Sequence, residues 1–214
     1  MNKNILNMHL DILDNKRQKL LQKLLPIAKD FVLGGGTALA LQLAHRKSFD
    51  FDFFSSVPIP KRLLEKLSQE LSIQNIAVDT PDELTFFDSD DIKITFLYYP
   101  FKSYFEVLEL ENGLRIFPIK EIALQKAYTI GRRGEYRDYF DLYTILKRND
   151  IKLNELILVA KKVYGGVFDE KLFLEQLVYF EDLLNFDIIS ASAAPLHTPE
   201  EVKQYFEKSV NNLL

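Results

Sequence analysis

The chain contains no cysteine. Disulfides and cysteine-ligated zinc are thereby excluded, and a reducing compartment fits best. No apolar stretch approaches the length that spans a bilayer. The opening MNKNILNMHLDILDNKRQ has neither the apolar core nor the cleavage site of a signal peptide, so the expectation is a cytoplasmic protein with no membrane partner. Positive charge is not in excess. The net charge of -4 argues against a global, non-specific nucleic-acid binder but leaves room for a local basic patch. Repeats and low-complexity tracts are absent, as are the P-loop pattern G-x-x-x-x-G-K-[ST] and the dinucleotide pattern G-x-G-x-x-G.

What is present is an ordinary globular composition. Hydrophobic residues make up 47% and aromatics 13%, which predicts a well-filled core and argues against disorder. Residues 5 to 30 read as helix, with Ile5, Leu6, His9, Leu10, Leu13, Leu20, Leu21, Leu24 and Leu25 on its apolar positions. FVLGGG reads as a short strand ending in three glycines, and TALALQLAHR as a helix. SFDFDFF alternates strictly and predicts a strand. IPKRLLEKLSQELS predicts an amphipathic helix. QNIAVDT, ELTFFDS and DIKITFLYYP predict strands, the last two as a hairpin across Ser89, Asp90 and Asp91. From Pro118 the pattern becomes helical. Thr198 with Glu201 has the spacing of a capping box. The expected division is an α/β half, residues 1–118 with its N-terminal helix, and a helical half, residues 119–214.

The acids of SFDFDFF pose a chemical question. In a strand, residues i and i+2 point the same way, so Asp50 and Asp52 share one face while Phe49, Phe51 and Phe53 take the other. Two carboxylates about 6–7 Å apart along a strand repel each other. A divalent cation relieves that repulsion, and a hard cation such as Mg2+ takes oxygen ligands. The plain alternative is a solvated face on a half-buried strand. Gly34, Gly35 and Gly36, followed by Thr37, end one strand and open a helix. Backbone N–H groups at such a start suit phosphate, the alternative being a tight turn that needs glycine. Together these residues offer a phosphate cradle and a metal site on neighbouring strands.

LGGGTALALQLAHRKSFDFDFF resembles the signature of the AbiEii/AbiGii-type nucleotidyltransferases, toxins of bacterial toxin–antitoxin and abortive-infection systems within the polymerase-beta-like superfamily. Gly35, Gly36 and Thr37 match its first motif. Asp50 and Asp52, preceded by His45, Arg46 and Ser48, match its second. Lys126, the basic turn Arg132–Arg133, and Arg137–Asp138 with Asp141 look like its third and fourth. The resemblance covers about residues 30 to 148. It implies a nucleotidyltransferase-fold mixed sheet with flanking helices, an α/β (α+β) unit, followed by a helical domain that completes the active cleft. It implies Mg2+ (or Mn2+), an NTP substrate, an acceptor hydroxyl on RNA, tRNA among the candidates, or on protein, and a cognate antitoxin. One departure is that DIKITFLYY offers Lys93 and Thr95, and no third carboxylate, on its polar face.

The roles implied are metal binding for Asp50 and Asp52, and phosphate binding for Gly35, Gly36, Thr37, Lys126 and an arginine from Arg132 or Arg133. Arg46 and Ser48 steer Asp50 and the phosphate. Asp138 serves as general base or as a further metal contact. Each has a bland counterpart: a solvent-facing lysine, an acid favoured by a helix dipole, an Arg137–Asp141 pair, a solvated basic turn. His45 reads as structural. Two rivals stay open, a decayed domain of the same fold acting through protein contacts and a nucleotidyltransferase acting on small molecules.

Overall fold

The computed structural model describes residues 8–192 and 195–213. Ile5 and Leu6 of the expected first helix lie outside them. The chain divides into two compact units, Met1–Pro118 and Ile119–Leu214.

In the first unit the expected helix over 5–30 is interrupted. A 3-10 turn at Leu10–Ile12 is followed by α1, Asn15–Leu24. The break has a local cause: Asp14 takes extended backbone and its side chain accepts from Arg17 N at 2.9 Å, which makes it an N-cap. The chain then enters β1 (Val32–Gly34), α2 (Gly35–Leu43), β2 (Phe51–Ser55), α3 (Leu63–Glu70), β3 (Ile73–Asp79), β4 (Glu83–Asp88), β5 (Lys93–Tyr98), β6 (Leu108–Glu109) and β7 (Arg115–Ile116). The strands form one mixed sheet in the order β3-β4-β5-β2-β1-β7-β6. β1 runs antiparallel to β2 and parallel to β7, and β2 runs parallel to β5.

The β4–β5 hairpin turns where the sequence predicts. Asp88 Oδ1 accepts from Asp90 N and Ile92 N, both at 2.9 Å, and Asp91 takes the left-handed conformation that aspartate tolerates. The β6–β7 hairpin was not expected, because two-residue strands carry no readable period. Its register brings Ile116 opposite Leu33 and so extends the core row.

The core side of the sheet is built by Leu33, Phe51, Phe53, Ile94, Phe96 and Ile116, all essentially inaccessible. Phe96 stacks on Phe53 at 5.2 Å and meets Phe31 edge-on at 4.8 Å. Phe49 departs from expectation. It precedes the strand and is 39% exposed, with the Arg17 guanidinium 5.0 Å from its ring. The strand starts only at Phe51 because Thr37 Oγ1 binds the Asp50 carbonyl and the Ser48 hydroxyl, which takes that backbone out of the ladder.

The second unit is helical: α4 (Ile119–Thr129), α5 (Tyr136–Lys147), α6 (Leu153–Tyr164), α7 (Glu170–Val178) and α8 (Pro199–Asn211). α5 is its centre, packing on α4 and α8. Tyr136, Tyr139, Phe140 and Tyr143 of α5 are buried. The capping box of α8 forms as its spacing predicts: Glu201 N donates to Thr198 Oγ1 at 3.2 Å, and Thr198 N to Glu201 Oε2 at 2.7 Å. Among the described residues no helix is long and apolar enough to cross a membrane.

The two phenylalanines separate core from surface in one short stretch. Phe53→Ala should cost about 3–5 kcal/mol, whereas Phe49→Ala should cost no more than about 1 kcal/mol, the worth of an exposed cation–π contact. Urea unfolding of the two variants checks the contrast.

Candidate active site

The α/β unit gathers the glycines and the acids through one strand pairing. In the antiparallel β1–β2 ladder, Gly34 lies opposite Asp52. β1 ends there and α2 begins at the next residue, so the Asp52 carboxylate stands over the start of a helix. Gly35 has φ +64, in the left-handed region. A Cβ at Gly35 would lie 2.6 Å from Asp52 Oδ2. Glycine is therefore required twice at this position, by backbone and by space. At Gly36 a Cβ would overlap the Arg46 guanidinium and lie 3.2 Å from Ser48 Oγ.

The neighbours of the cradle are fixed from beneath. Thr37 is buried, with its hydroxyl 2.9 Å from Ser48 Oγ and bonded to the Asp50 carbonyl. Arg46 is buried too, and its Nη1 donates to the Lys47 carbonyl at 3.0 Å. The expected helix over TALALQLAHR is shorter than its composition suggests. Ala44 takes left-handed backbone and ends α2 at Leu43, which releases His45 and Arg46 into the loop that returns to β2. No side chain caps the start of α2. Backbone N–H groups and a buried guanidinium thus converge where Asp52 also stands, which suits a phosphate beside a cation.

Asp52 heads a polar row across the sheet. Thr95 of β5 is its register partner, and Thr85 of β4 is the partner of Thr95. Both threonines are buried, and Thr85 Oγ1 donates to Glu83 Oε1 at 2.6 Å. Thr85 and Glu83 have no recognisable sequence signal; only the register puts them in line with Asp52. Asp50 and Asp52 are both part-exposed, and Asp50 is the residue immediately before the strand. Among the described residues no group of three or more His, Asp or Glu side chains is arranged to hold a metal ion. An all-oxygen pair still fits a hard divalent cation, which commonly takes one or two carboxylates and completes its shell with phosphate oxygens and water.

The helical unit gathers its own set. Lys126 Nζ lies 2.7 Å from Asp138 Oδ1 and 2.6 Å from Asp141 Oδ2, and all three side chains are buried. Arg133, mostly exposed, donates through Nε to Asp138 Oδ2 at 2.7 Å and through Nη2 to Asp138 Oδ1 at 3.1 Å. Two cations thus balance two carboxylates. Burial alone would raise the Asp138 carboxyl, but the Lys126 charge and the Arg133 bonds outweigh it and hold it below its ordinary value.

This arrangement differs from the expected roles. Lys126 is a buried counter-ion to two acids, so its bland reading as a solvent-facing lysine does not hold. Asp138 has both oxygens engaged, and a lowered carboxyl is a weaker base than an ordinary aspartate. Asp141 binds Lys126, and Arg137 faces Glu135 at 3.6 Å, so the Arg137–Asp141 pair does not form. Arg132 lies 3.8 Å over the Tyr128 ring and donates to the Tyr128 and Val167 carbonyls.

Comparison with known proteins places this geometry. The model of the nucleotidyl transferase AbiEii toxin family, of type IV toxin–antitoxin systems, matches residues 19–208. An uncharacterized protein of Aquifex aeolicus (strain VF5) is 33% identical over 208 residues, covering 94% of this chain and 98% of that one. A crystal structure described as a nucleotidyltransferase from H. pylori superposes with TM-score 0.56 at 22% identity, covering 94% of this chain and 99% of that one. JHP933 from Helicobacter pylori gives TM-score 0.51 at 21% identity, covering 92% and 95%. The chain belongs to the AbiEii nucleotidyl transferase toxin family, and its fold is that of the nucleotidyltransferases.

The buried cluster predicts an energetic signature. Lys126→Ala leaves two buried carboxylates without their shared cation and should destabilise the protein by about 3–5 kcal/mol. Because the folded Asp138 carboxyl is depressed, its contribution is fully present above the ordinary value of 3.8 and is lost as pH falls through the lower folded value. Urea midpoints measured across that acid range should fall for the wild type and fall less steeply for Asp138→Asn.

Proposed function

We propose that this member of the AbiEii family transfers a nucleoside monophosphate from an NTP to an acceptor hydroxyl and releases pyrophosphate, acting as the toxin of a pair whose antitoxin is its cognate protein partner. The observation that carries the reading is the opposition of Gly34 and Asp52, which puts a carboxylate over a glycine-opened helix start. A nucleoside triphosphate needs both features, oxygen ligands for its cation and N–H donors for its phosphates.

Asp50 and Asp52 would hold Mg2+ or Mn2+, whose chemistry is to neutralise the charge of the phosphates and of the departing pyrophosphate. The remaining work falls to the chain itself. The first N–H groups of α2, at Gly35, Gly36 and Thr37, bind the phosphates that leave, and the Arg46 guanidinium adds fixed positive charge beside them. Ser48 and Thr37 hold the backbone of Asp50. During transfer the acceptor hydroxyl gives up its proton to solvent water and its oxygen forms its bond to the α-phosphorus as the bond to pyrophosphate breaks, with the entering and leaving oxygens roughly in line.

For the helical unit the reading assigns phosphate binding to Arg133, and to Arg132 beside it. Lys126, Asp138 and Asp141 are positioning residues that fix Arg133. The acceptor is RNA or protein. One observation favours a second reading, a decayed domain acting through protein contacts: Thr95, not an acid, is the register partner of Asp52 on β5. The intact acid pair and the doubly required glycine weigh against it.

Asp52→Asn should keep its urea midpoint and lose transfer of labelled nucleotide by at least about 100-fold, as should the wild type in excess EDTA. Gly35→Ala should add about 1–2 kcal/mol of left-handed strain and also lose transfer, because the new methyl occupies the place of Asp52 Oδ2. Full transfer by Asp52→Asn, or in EDTA, would refute the mechanism.

A further inference from the structure

Arg133 stands on the turn between α4 and α5, where a glycine lies on each side of the arginine pair. Gly131 takes φ +88, in the left-handed region, and a Cβ at Gly134 would lie 2.9 Å from the Asp182 carbonyl oxygen. Glycine gives such a turn little stiffness of its own. The end of α4 holds the arginines from one side: Arg132 N donates to the Thr129 carbonyl at 2.9 Å and Arg133 N to the same oxygen at 3.4 Å. The other side is held by a distant stretch of chain, the segment after α7 at residues 180–190.

This strap meets the turn through its backbone. Leu184 N donates to the Gly134 carbonyl at 2.7 Å, and Tyr136 N donates to the Leu184 carbonyl at 3.0 Å, an isolated parallel bridge. The Leu184 side chain points away, with the residue 62% exposed, so it is the backbone that binds. Asn185 follows with φ 58, a left-handed backbone that asparagine tolerates. Its Nδ2 donates to Glu135 Oε1 at 3.0 Å and to Glu135 Oε2 at 2.9 Å. Beyond it Phe186 stacks on the Tyr136 ring at 4.7 Å. Before it Leu183 is buried, and Phe180 meets Tyr139 edge-on at 5.3 Å. The strap is thus anchored on the rings of α5 at both ends, while its middle is bonded to Gly134, Glu135 and Tyr136, which follow Arg133 directly.

We infer that the strap positions Arg133 for phosphate, and that Asn185 is the positioning residue within it. The inference rests on the transferase reading for the role of Arg133. Asp138 fixes the guanidinium of Arg133; the strap fixes its backbone. An arginine held at one end only sweeps a range of positions, whereas a phosphate clamp works in a set geometry. A segment that merely covered the aromatic core would need Phe180, Leu183 and Phe186, but neither a left-handed asparagine nor a carboxylate partner for it. Arg137 faces Glu135 at 3.6 Å, so Glu135 has a cation on one side and the Asn185 amide on the other. Asn185→Asp keeps the shape and the backbone tolerance of asparagine, removes the donor, and sets a second carboxylate against Glu135.

The test uses the full chain carrying Asn185→Asp. Phe186→Ala serves as a second variant, which frees the strap from its ring contact by truncating a residue that is 42% exposed. Urea midpoints confirm that both fold. One readout is the hydrogen-exchange rate of the Arg133 Nε–H, measured by NMR on nitrogen-labelled protein and assigned by its loss in Arg133→Ala. The other is the affinity for inorganic tripolyphosphate with Mg2+, the part that every NTP shares, measured by calorimetry. Asn185→Asp should speed the exchange by about 10-fold and weaken tripolyphosphate binding by about 3- to 10-fold. Adding Glu135→Gln should restore both, because amide and carboxylate have then changed places. In an Arg133→Ala background the strap variants should alter tripolyphosphate affinity by no more than about 2-fold. Unchanged Arg133 Nε–H exchange in both strap variants overturns the inference. So does a loss of tripolyphosphate affinity that persists in full in the Arg133→Ala background, since the strap would then act through something other than Arg133. The two readings fail separately. If Arg133→Ala binds tripolyphosphate as tightly as wild type while the exchange follows the strap, the phosphate role of Arg133 is rejected and the strap keeps its hold on the arginine. If Arg133→Ala binds weakly and both strap variants bind as wild type, the phosphate role stands and the strap is rejected.

Discussion

The site depends on the pairing of Gly34 with Asp52. A one-residue slip of β1 on β2 would turn every side chain of the strand to the other face. Asp52 would enter the core among Phe96, Phe31 and Ile94, and Phe53 would face solvent. The register is therefore fixed by hydrophobic burial, since Phe51 and Phe53 can be buried in only one of the two registers. The chemistry of the acid is held in place by the packing of its neighbours. This also explains why so greasy a strand tolerates carboxylates: the sheet is apolar on one face, and on the other the row from Asp52 through Thr95 and Thr85 to Glu83 is polar.

Two different electrostatic solutions coexist in the chain. Asp50 and Asp52 are part-exposed and two residues apart, with the start of α2 and the buried Arg46 nearby. Asp138 and Asp141 are buried and share the Lys126 ammonium. Burying a charge is costly unless it is paired, and the second pair meets that cost within the protein itself. The contrast in burial between the two pairs is what the proposed metal at Asp50 and Asp52, and the proposed positioning role of Lys126, draw on.

Much of this was legible in the sequence. The strict alternation of FDFDFF and the glycine run marked the strand and the helix start, because period and backbone freedom are local properties. The Thr198–Glu201 box was legible for the same reason. Other features were not. Phe49 shares the alternation yet lies outside the strand, because Thr37, more than ten residues earlier, captures the Asp50 carbonyl. The break before α1 depends on Asp14 acting as a cap where apolar spacing suggests continuity. Lys126 reads as a phosphate contact or as a surface lysine, and its pairing with two acids on the next helix is not legible from spacing. The strand read as DIKITFLYYP ends at Tyr98, and Tyr99, Phe101, Tyr104 and Phe105 beyond it line a cavity with Phe54 of β2.

The missing third carboxylate is best understood through that same register. Thr95, opposite Asp52, is buried and bonded to Thr85, whose hydroxyl in turn meets Glu83. An aspartate at Thr95 would stand one strand spacing, about 4.8 Å, from Asp52, and would add a third negative charge to a face where Asp50 and Asp52 already repel each other. Two neutral hydroxyls in that row lower the charge the site must carry when no nucleotide is bound. On the proposed reading they also raise the share of metal ligands that phosphate oxygens would supply. The doubly required glycine at position 35 then follows, since a cradle that must let phosphate approach Asp52 closely can spare no side chain between them.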